Sequence, residues 1–275
     1  HAGHMSTKPE TARSSSLGVT VAGVLVATAL LAGCGDDDDG PTVAFAEPTD
    51  GATVHGVVPL AMTSDGIAIE AAGEVRDGAG HFHVLADAGC VDTGEAIGKD
   101  ADHLHFGNGQ SEGVIYLGPG SHQLCLQVGD GVHSALDVTD SISLTVDIAD
   151  RDEWCAVASE VDELVAVADD LDDFAASQAS FENLARLIAQ LSDGIDHVDD
   201  EPEYEIGGVT ASPREHVDAS LTFMTSVSEA ITTASDWDAA FAEIDALYAA
   251  DRYGSESELP GGRWIESTCG IDLED

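Results

Sequence analysis

Eleven histidines occur in the 275 residues, and six of them, His81, His83, His103, His105, His122 and His133, fall within one stretch. Their spacing suggests coordination chemistry. His81-Phe82-His83 and His103-Leu104-His105 are two His-x-His units, and in an extended strand residues i and i+2 project to one face. Two such strands side by side would gather four imidazoles, whose neutral rings are favoured donors for Zn(II) and Cu(II). His133 follows Gly129-Asp130-Gly131 in a loop and is placed to swing in as a further ligand. Asp87, Asp100 and Asp102 flank the strands and could complete a site or orient ring nitrogens. Met62 is the segment's one methionine, which disfavours a thioether Cu(I) site. The same spacing allows a plainer reading, in which paired histidines cover a polar sheet face. His122 opens a strand after the tight turn Leu117-Gly118-Pro119-Gly120 and reads as structural, while His197 and His216 are isolated and expected in solvent.

The elements that would position these residues come in two kinds. From residue 42 to about 150, short segments rich in Val, Ile and Leu (TVAFAE, TVHGVVPLAM, GHFHVLAD, GVIYLG, SHQLCLQV, SISLTVDI) are separated by Gly, Asp, Pro and Ser. This spacing predicts an antiparallel, immunoglobulin-like β-sandwich. Alternation puts Phe82 and Val84 opposite His81 and His83, and Cys125 opposite Leu124 and Leu126, so a core face and an exposed face are expected.

From residue 151 to 275 the apolar period becomes helical. Trp154, Val157, Val161, Leu164, Ala168 and Leu171 recur at three and four, as do Phe181, Leu184, Leu187, Ile188, Leu191 and Ile195. Ser212, Pro213 and Glu215 form a helix start of capping-box type, leading into Val217, Leu221, Met224, Val227 and Ile231. A fourth helix is expected from Ser235-Asp236 onward with Trp237, Phe241, Ile244, Leu247 and Tyr248, so a four-helix bundle is predicted. The chain thus reads as multidomain, all-β followed by all-α.

The stretch GHFHVLADAG, then DADHLHFGNGQSEGVIYLGPGSHQLCLQVGD, then His133, resembles an uncharacterised domain of unknown function common in bacterial exported proteins. Its marks are a His-rich strand, an HxHFGxGQ segment and a PGxHxL hairpin, carried here by His81, His83, His103, His105, Phe106, Gly107, Gly109, Gln110, Gly118, Pro119, Gly120 and His122. Phe82 stands where that family often has a third consecutive histidine, and a second histidine after His133 is lacking. The resemblance implies a distinct domain in which the His pairs matter, with no established activity. The helical part, with cysteines at 155 and 269, resembles small cysteine-tied helical modules of actinobacterial exported proteins, which implies a role in contacts or support.

Residues 1–33 read as an export signal: Lys8 and Arg13, an apolar run of 16 residues from Leu17 to Ala32, then Gly33 and Cys34. The run is short for a membrane span, contains Gly and Thr, and is soon followed by four aspartates. Leu31-Ala32-Gly33-Cys34 resembles the lipobox of bacterial lipoproteins, which implies that Cys34 becomes the lipidated first residue, anchoring the chain to a membrane on the extracytoplasmic side of the cell envelope. Residues 34–41 then read as a flexible acidic tether. With Cys34 spent, four cysteines remain for an oxidising compartment, two in each part. Three pairings are formally open, and their segregation favours Cys90 with Cys125 and Cys155 with Cys269.

Composition excludes some functions outright. Acidic residues number 53 against 9 basic ones, a net charge of -44, which repels the phosphate backbones of nucleic acids. A hydrophobic content of 43% nevertheless marks a folding chain. No GxSxG elbow occurs, oxidised cysteines are not nucleophiles, and so acidic a chain pairs carboxylates everywhere, so no catalytic constellation emerges. The acidic runs at 169–173 and 199–201 lack the glycine and spacing of an EF-hand loop and read as solvated faces that collect cations weakly. The expectation is a lipid-anchored envelope protein, not an enzyme, with a metal- or small-ligand-binding His face. The alternative is a structural or protein-interaction lipoprotein without metal; no particular protein partner is indicated.

Overall fold

Strands form first along the chain, where β-branched residues alternate with polar ones. The computed structural model describes residues 40–168, 173–206, 209–251, 254–255, 260–271 and 273; the leader, Cys34, most of the tether and the acidic run at 169–172 lie outside the described residues. Nine strands run from β1 (Thr42–Glu47) through β2 (Ala52–His55), β3 (Val58–Asp65), β4 (Ala68–Ile69), β5 (Ala79–Ala86), β6 (His103–His105), β7 (Glu112–Ile115) and β8 (Gly120–Gly129) to β9 (Ala135–Asp147). They make a three-stranded sheet, β1-β3-β7, and a six-stranded one ordered β2-β9-β8-β5-β4, with β6 added beside β5. The pairing is mostly antiparallel, but β2 with β9 and β4 with β5 run parallel, contrary to the wholly antiparallel expectation. Both parallel pairs are short and involve a two- or four-residue strand laid along a long one, so they need no long crossover between major strands.

Apolar side chains of the two sheets meet in one cluster. Val43, Phe45, Leu60, Met62 and Ile115 come from the smaller sheet, and Phe82, Val84, Leu126, Val128 and Leu144 from the larger. At about 25 cal/mol per Å², burial of such side chains is the main favourable contribution to this half of the fold.

The opposite face of β5 is not open to solvent, as alternation alone had suggested. All eight residues of the strand are buried. The segment between β5 and β6 folds back over that face: Ile97 N donates to His133 O at 2.9 Å, and Gly94 N and Ala135 N exchange bonds with Ala135 O and Glu95 O, each at 2.8 Å. Leu85, Ile97, Cys125 and Ala135 form a small apolar cluster there, beside the Cys90–Cys125 disulfide. Along its edges β5 is hydrogen-bonded by β8 on one side, and by β4 and β6 in succession on the other.

The second half is helical: α1 (Arg151–Ala168), α2 (Phe174–Asp193), a 3-10 turn (Ile195–His197), α3 (Pro213–Thr233), α4 (Trp237–Ala250) and α5 (Pro260–Cys269), with a small hairpin of β10 (Tyr204–Ile206) and β11 (Val209–Ala211). There are five helices among the described residues where four were expected. α3 starts as its sequence dictates, with Ser212 Oγ accepting from Glu215 N at 3.2 Å and Glu215 Oε2 accepting from Ser212 N at 3.0 Å. Trp154, Leu187, Ile188, Val217, Leu221 and Trp264 pack together, and the Cys155–Cys269 disulfide ties α1 to α5. α4 contributes little to this core: Ala240 is its one buried residue, and Phe241 and Tyr248 are exposed by 55% and 58%.

Strands and helices share an interface within one compact unit. Val57, Tyr116 and Ile148 pack on the helical core. Gln190 of α2 donates to Leu117 O at 2.6 Å and Gly56 O at 3.3 Å. One turn earlier Arg186 donates to Ala101 O and Tyr116 O, both at 3.1 Å, and pairs with Asp102. The guanidinium therefore grips both ends of the segment that contains β6.

Candidate metal centre

Four of the expected histidines converge. His83 lies directly across from His105 in the β5–β6 register, so their rings share a face, and His81 lies two residues along β5 on that same face. His133 comes from the turn after β8 and has a φ of +70°, a left-handed conformation unusual for a residue with a Cβ. Asp130 holds that turn, its Oδ1 accepting from Val132 N and Ser134 N, each at 2.9 Å. The carboxylate offsets the backbone strain by pairing two amides that would otherwise need water.

The rings are in mutual contact. Their centroid separations run from 4.7 Å for His81–His83 and His105–His133 to 5.8 Å for His83–His133. The Nε2 atoms of His81 and His83 are 2.9 Å apart, and those of His105 and His133 are 3.0 Å apart. Ligand atoms of His81, His105 and His133 lie within 4.8 Å of one another, close enough for the three to hold one metal ion. His81 and His83 are fully buried, whereas His105 and His133 are half-buried, so the cluster reaches the surface on one side only.

Glycines make the room. A Cβ at Gly107 would lie 2.0 Å from His105 Cε1, and one at Gly129 would lie 2.8 Å from His83 Nε2. Neither position tolerates a side chain while the rings stay where they are.

Burial sets the charge state. It pushes His83 down to about 3, helped by the neighbouring His81, His105, His133 and His103. His81 is pushed down to about 4, by burial first and then by His105 and His133, with Asp130 pulling the other way. His105 is lowered by burial, His133 and Lys99. Neutral imidazoles with free lone pairs are the form that binds a metal. Nδ1 of His81 and of His83 is buried without a hydrogen-bond partner, a cost of about 1–3 kcal/mol for each such group.

His103 stands apart from the cluster, although it shares the His-x-His unit with His105. Its Nδ1 is bonded to Asp100 Oδ1 at 2.7 Å, next to the turn that Asp100 caps. The flanking carboxylates are likewise engaged elsewhere: Asp102 with Arg186, and Asp87 with His122 Nδ1 at 2.8 Å. His122 also reaches Gly118 O at 2.9 Å, a structural role. His216, expected in solvent, is 2% exposed, and its Nδ1 accepts from Gly261 N at 2.9 Å. His197 is half-buried, its Nε2 3.5 Å from Ile148 O. Sequence reasoning missed Gly129, Asp130 and Arg186 as supports of the site. The Gly129-Asp130-Gly131 turn was their one local signal, and nothing local marks Arg186.

Residues 60–147, from β3 to the end of β9, are similar to the family described as "Domain of unknown function (DUF4399)". No curated protein matches the chain. Among solved structures it is similar to the endo-beta-1,4-mannanase from Thermotoga petrophila, at 14% identity and a TM-score of 0.28, over 42% of this chain and 22% of that one. The chain therefore spans less than a quarter of that enzyme's length, and so slight a likeness bears on neither fold nor activity.

Proposed function

We propose that this chain is a lipid-anchored protein of the cell envelope whose β-rich part binds one transition-metal ion, Zn(II) or Cu(II), and performs no reaction of its own. The observation that carries this is the meeting of His81, His105 and His133, drawn from three separate elements, with ligand atoms within 4.8 Å. Neutral, nitrogen-only donors suit these two ions, and among the described residues of the β-rich part no sulfur competes: Cys90 and Cys125 are joined to each other, and Met62 is packed between the sheets. Two disulfides accord with an oxidising compartment, and the lipobox-like Leu31-Ala32-Gly33-Cys34 supports anchoring through Cys34. Two sheets around one core support an immunoglobulin-like sandwich, and the helices packed about Trp154 and Trp264 support a bundle that braces it.

The metal-free alternative draws on the same short contacts, because neutral imidazoles at 2.9 and 3.0 Å can hydrogen-bond to one another. Elemental analysis of untagged protein, purified without chelator, separates the two readings. About one zinc or copper per chain is expected, and protein free of both after incubation with either ion would favour the structural reading.

A further inference from the structure

What a bound ion could do depends on its coordination number. Three histidines would leave a fourth position for water, the arrangement of hydrolytic zinc centres, whereas four protein ligands close the shell. His83 decides between these. Its ring is fully buried, its Nε2 lies 2.9 Å from that of His81, and its centroid is 4.7, 5.1 and 5.8 Å from those of His81, His105 and His133.

We propose that His83 is the fourth ligand, so that the site is a closed, roughly tetrahedral shell of four imidazoles that holds its ion away from water. This rests on the metal-binding reading above. A square of rings with the 4.7 Å edges seen here would have diagonals of about 6.6 Å. All six separations lie between 4.7 and 5.8 Å, as they do when four rings surround a point in three dimensions. Metal–nitrogen bonds of about 2.0–2.1 Å place tetrahedral donors about 3.4 Å apart, so the paired Nε2 atoms part by only a few tenths of an ångström, while His83, which is outside the three whose ligand atoms lie within 4.8 Å of one another, turns its ring to join them. The backbone at Gly129 lies against the Nε2 edge of His83, where even a methyl group would come within 2.8 Å of Nε2. Of the flanking carboxylates, Asp87, Asp100 and Asp102 are engaged with His122, His103 and Arg186, and Asp130 Oδ1 holds its own turn. The chemistry fits an ion that is stored, carried or used as a brace.

Two measurements on the full chain test this. Co(II) alone, added to the metal-free protein, is expected to give the intense visible bands of tetrahedral cobalt, and X-ray absorption of the Zn(II)-loaded protein to count four nitrogen neighbours, all imidazole. His83→Gln is expected to keep the ion on the other three rings, with at least tenfold weaker affinity and the weaker bands of a five-coordinate, water-bound cobalt. Bound metal with the pale spectrum of an open site and three imidazoles in the wild type would overturn the closed shell, as would a His83→Gln spectrum identical to the wild type. A wild-type chain that binds Cu(II) but neither Co(II) nor Zn(II) would also overturn the tetrahedral shell, and one that binds none of the three would instead overturn the metal reading itself. The absorption count needs only wild-type protein, so it decides the matter even if the variant does not fold.

Discussion

His81 and His83 show how far burial moves a side chain from its ordinary chemistry. In the unfolded chain each takes a proton near 6.5, and in the folded chain only near 4 and 3. As pH falls below 6.5 the unfolded state therefore binds protons that the folded state refuses, and folding stability declines with them. The metal-free protein is expected to lose stability progressively from about pH 6.5 to about pH 3, and thermal melts across that range check it. The same shifts delay proton competition for the ion at these two ligands. Zn(II) affinity should hold to lower pH than at a site of exposed histidines, and loss of binding centred at pH 6.5 would contradict the burial argument. The His-x-His spacing made this face legible in the sequence. Its burial was not legible, because the cover comes from a loop with no periodic pattern, and His103 left the set because Asp100, three residues away, offers it a nearer partner.

The element that matters most to the site is β6, a three-residue strand that could not hold His105 in place by its own ladder. Arg186 fixes the ends of its segment through Ala101, Tyr116 and Asp102. Hydrogen bonds from a charged donor contribute about 1.5–3 kcal/mol, so Arg186→Met should lower stability by roughly that amount. It should also weaken Zn(II) binding several-fold without removing any ligand. Unchanged affinity in a folded variant would show that the helices do not support the site. Local signals were read well where they were self-sufficient, as in the capping box of α3. They failed for α5, where Gly261 and Gly262 disfavour a helix. Packing overrides that preference, since a Cβ at Gly261 would lie 2.6 Å from His216 Nδ1. For α4 they placed the helix, which starts after its cap Asp236, but not its packing, since Ala240 is its one buried residue and Phe241 and Tyr248 are exposed.

At the scale of the whole molecule, the net charge of -44 works against compactness, since like charges repel across the surface. Screening shortens that repulsion from about 10 Å at 0.1 M salt to about 3 Å at 1 M. The melting temperature is therefore expected to rise by several degrees over that range, and a flat or falling trend would show that the acidity carries no energetic burden. The proposed lipid anchor is a whole-chain property too: wild-type protein should partition into detergent, and Cys34→Ala should remain in the aqueous phase as a larger, unprocessed species. Equal partitioning of the two would contradict anchoring through Cys34.

The metal site itself is tested most directly by calorimetric titration of the metal-free chain with Zn(II) at high ionic strength, where diffuse binding to carboxylates is screened but coordinate bonds persist. The expected result is a single saturable site per chain of micromolar affinity or tighter, about -8 kcal/mol or better, lost when His81→Ala and His105→Ala are combined and retained in His197→Ala. A titration without a saturable site, or one that the double substitution leaves unchanged, would contradict the account.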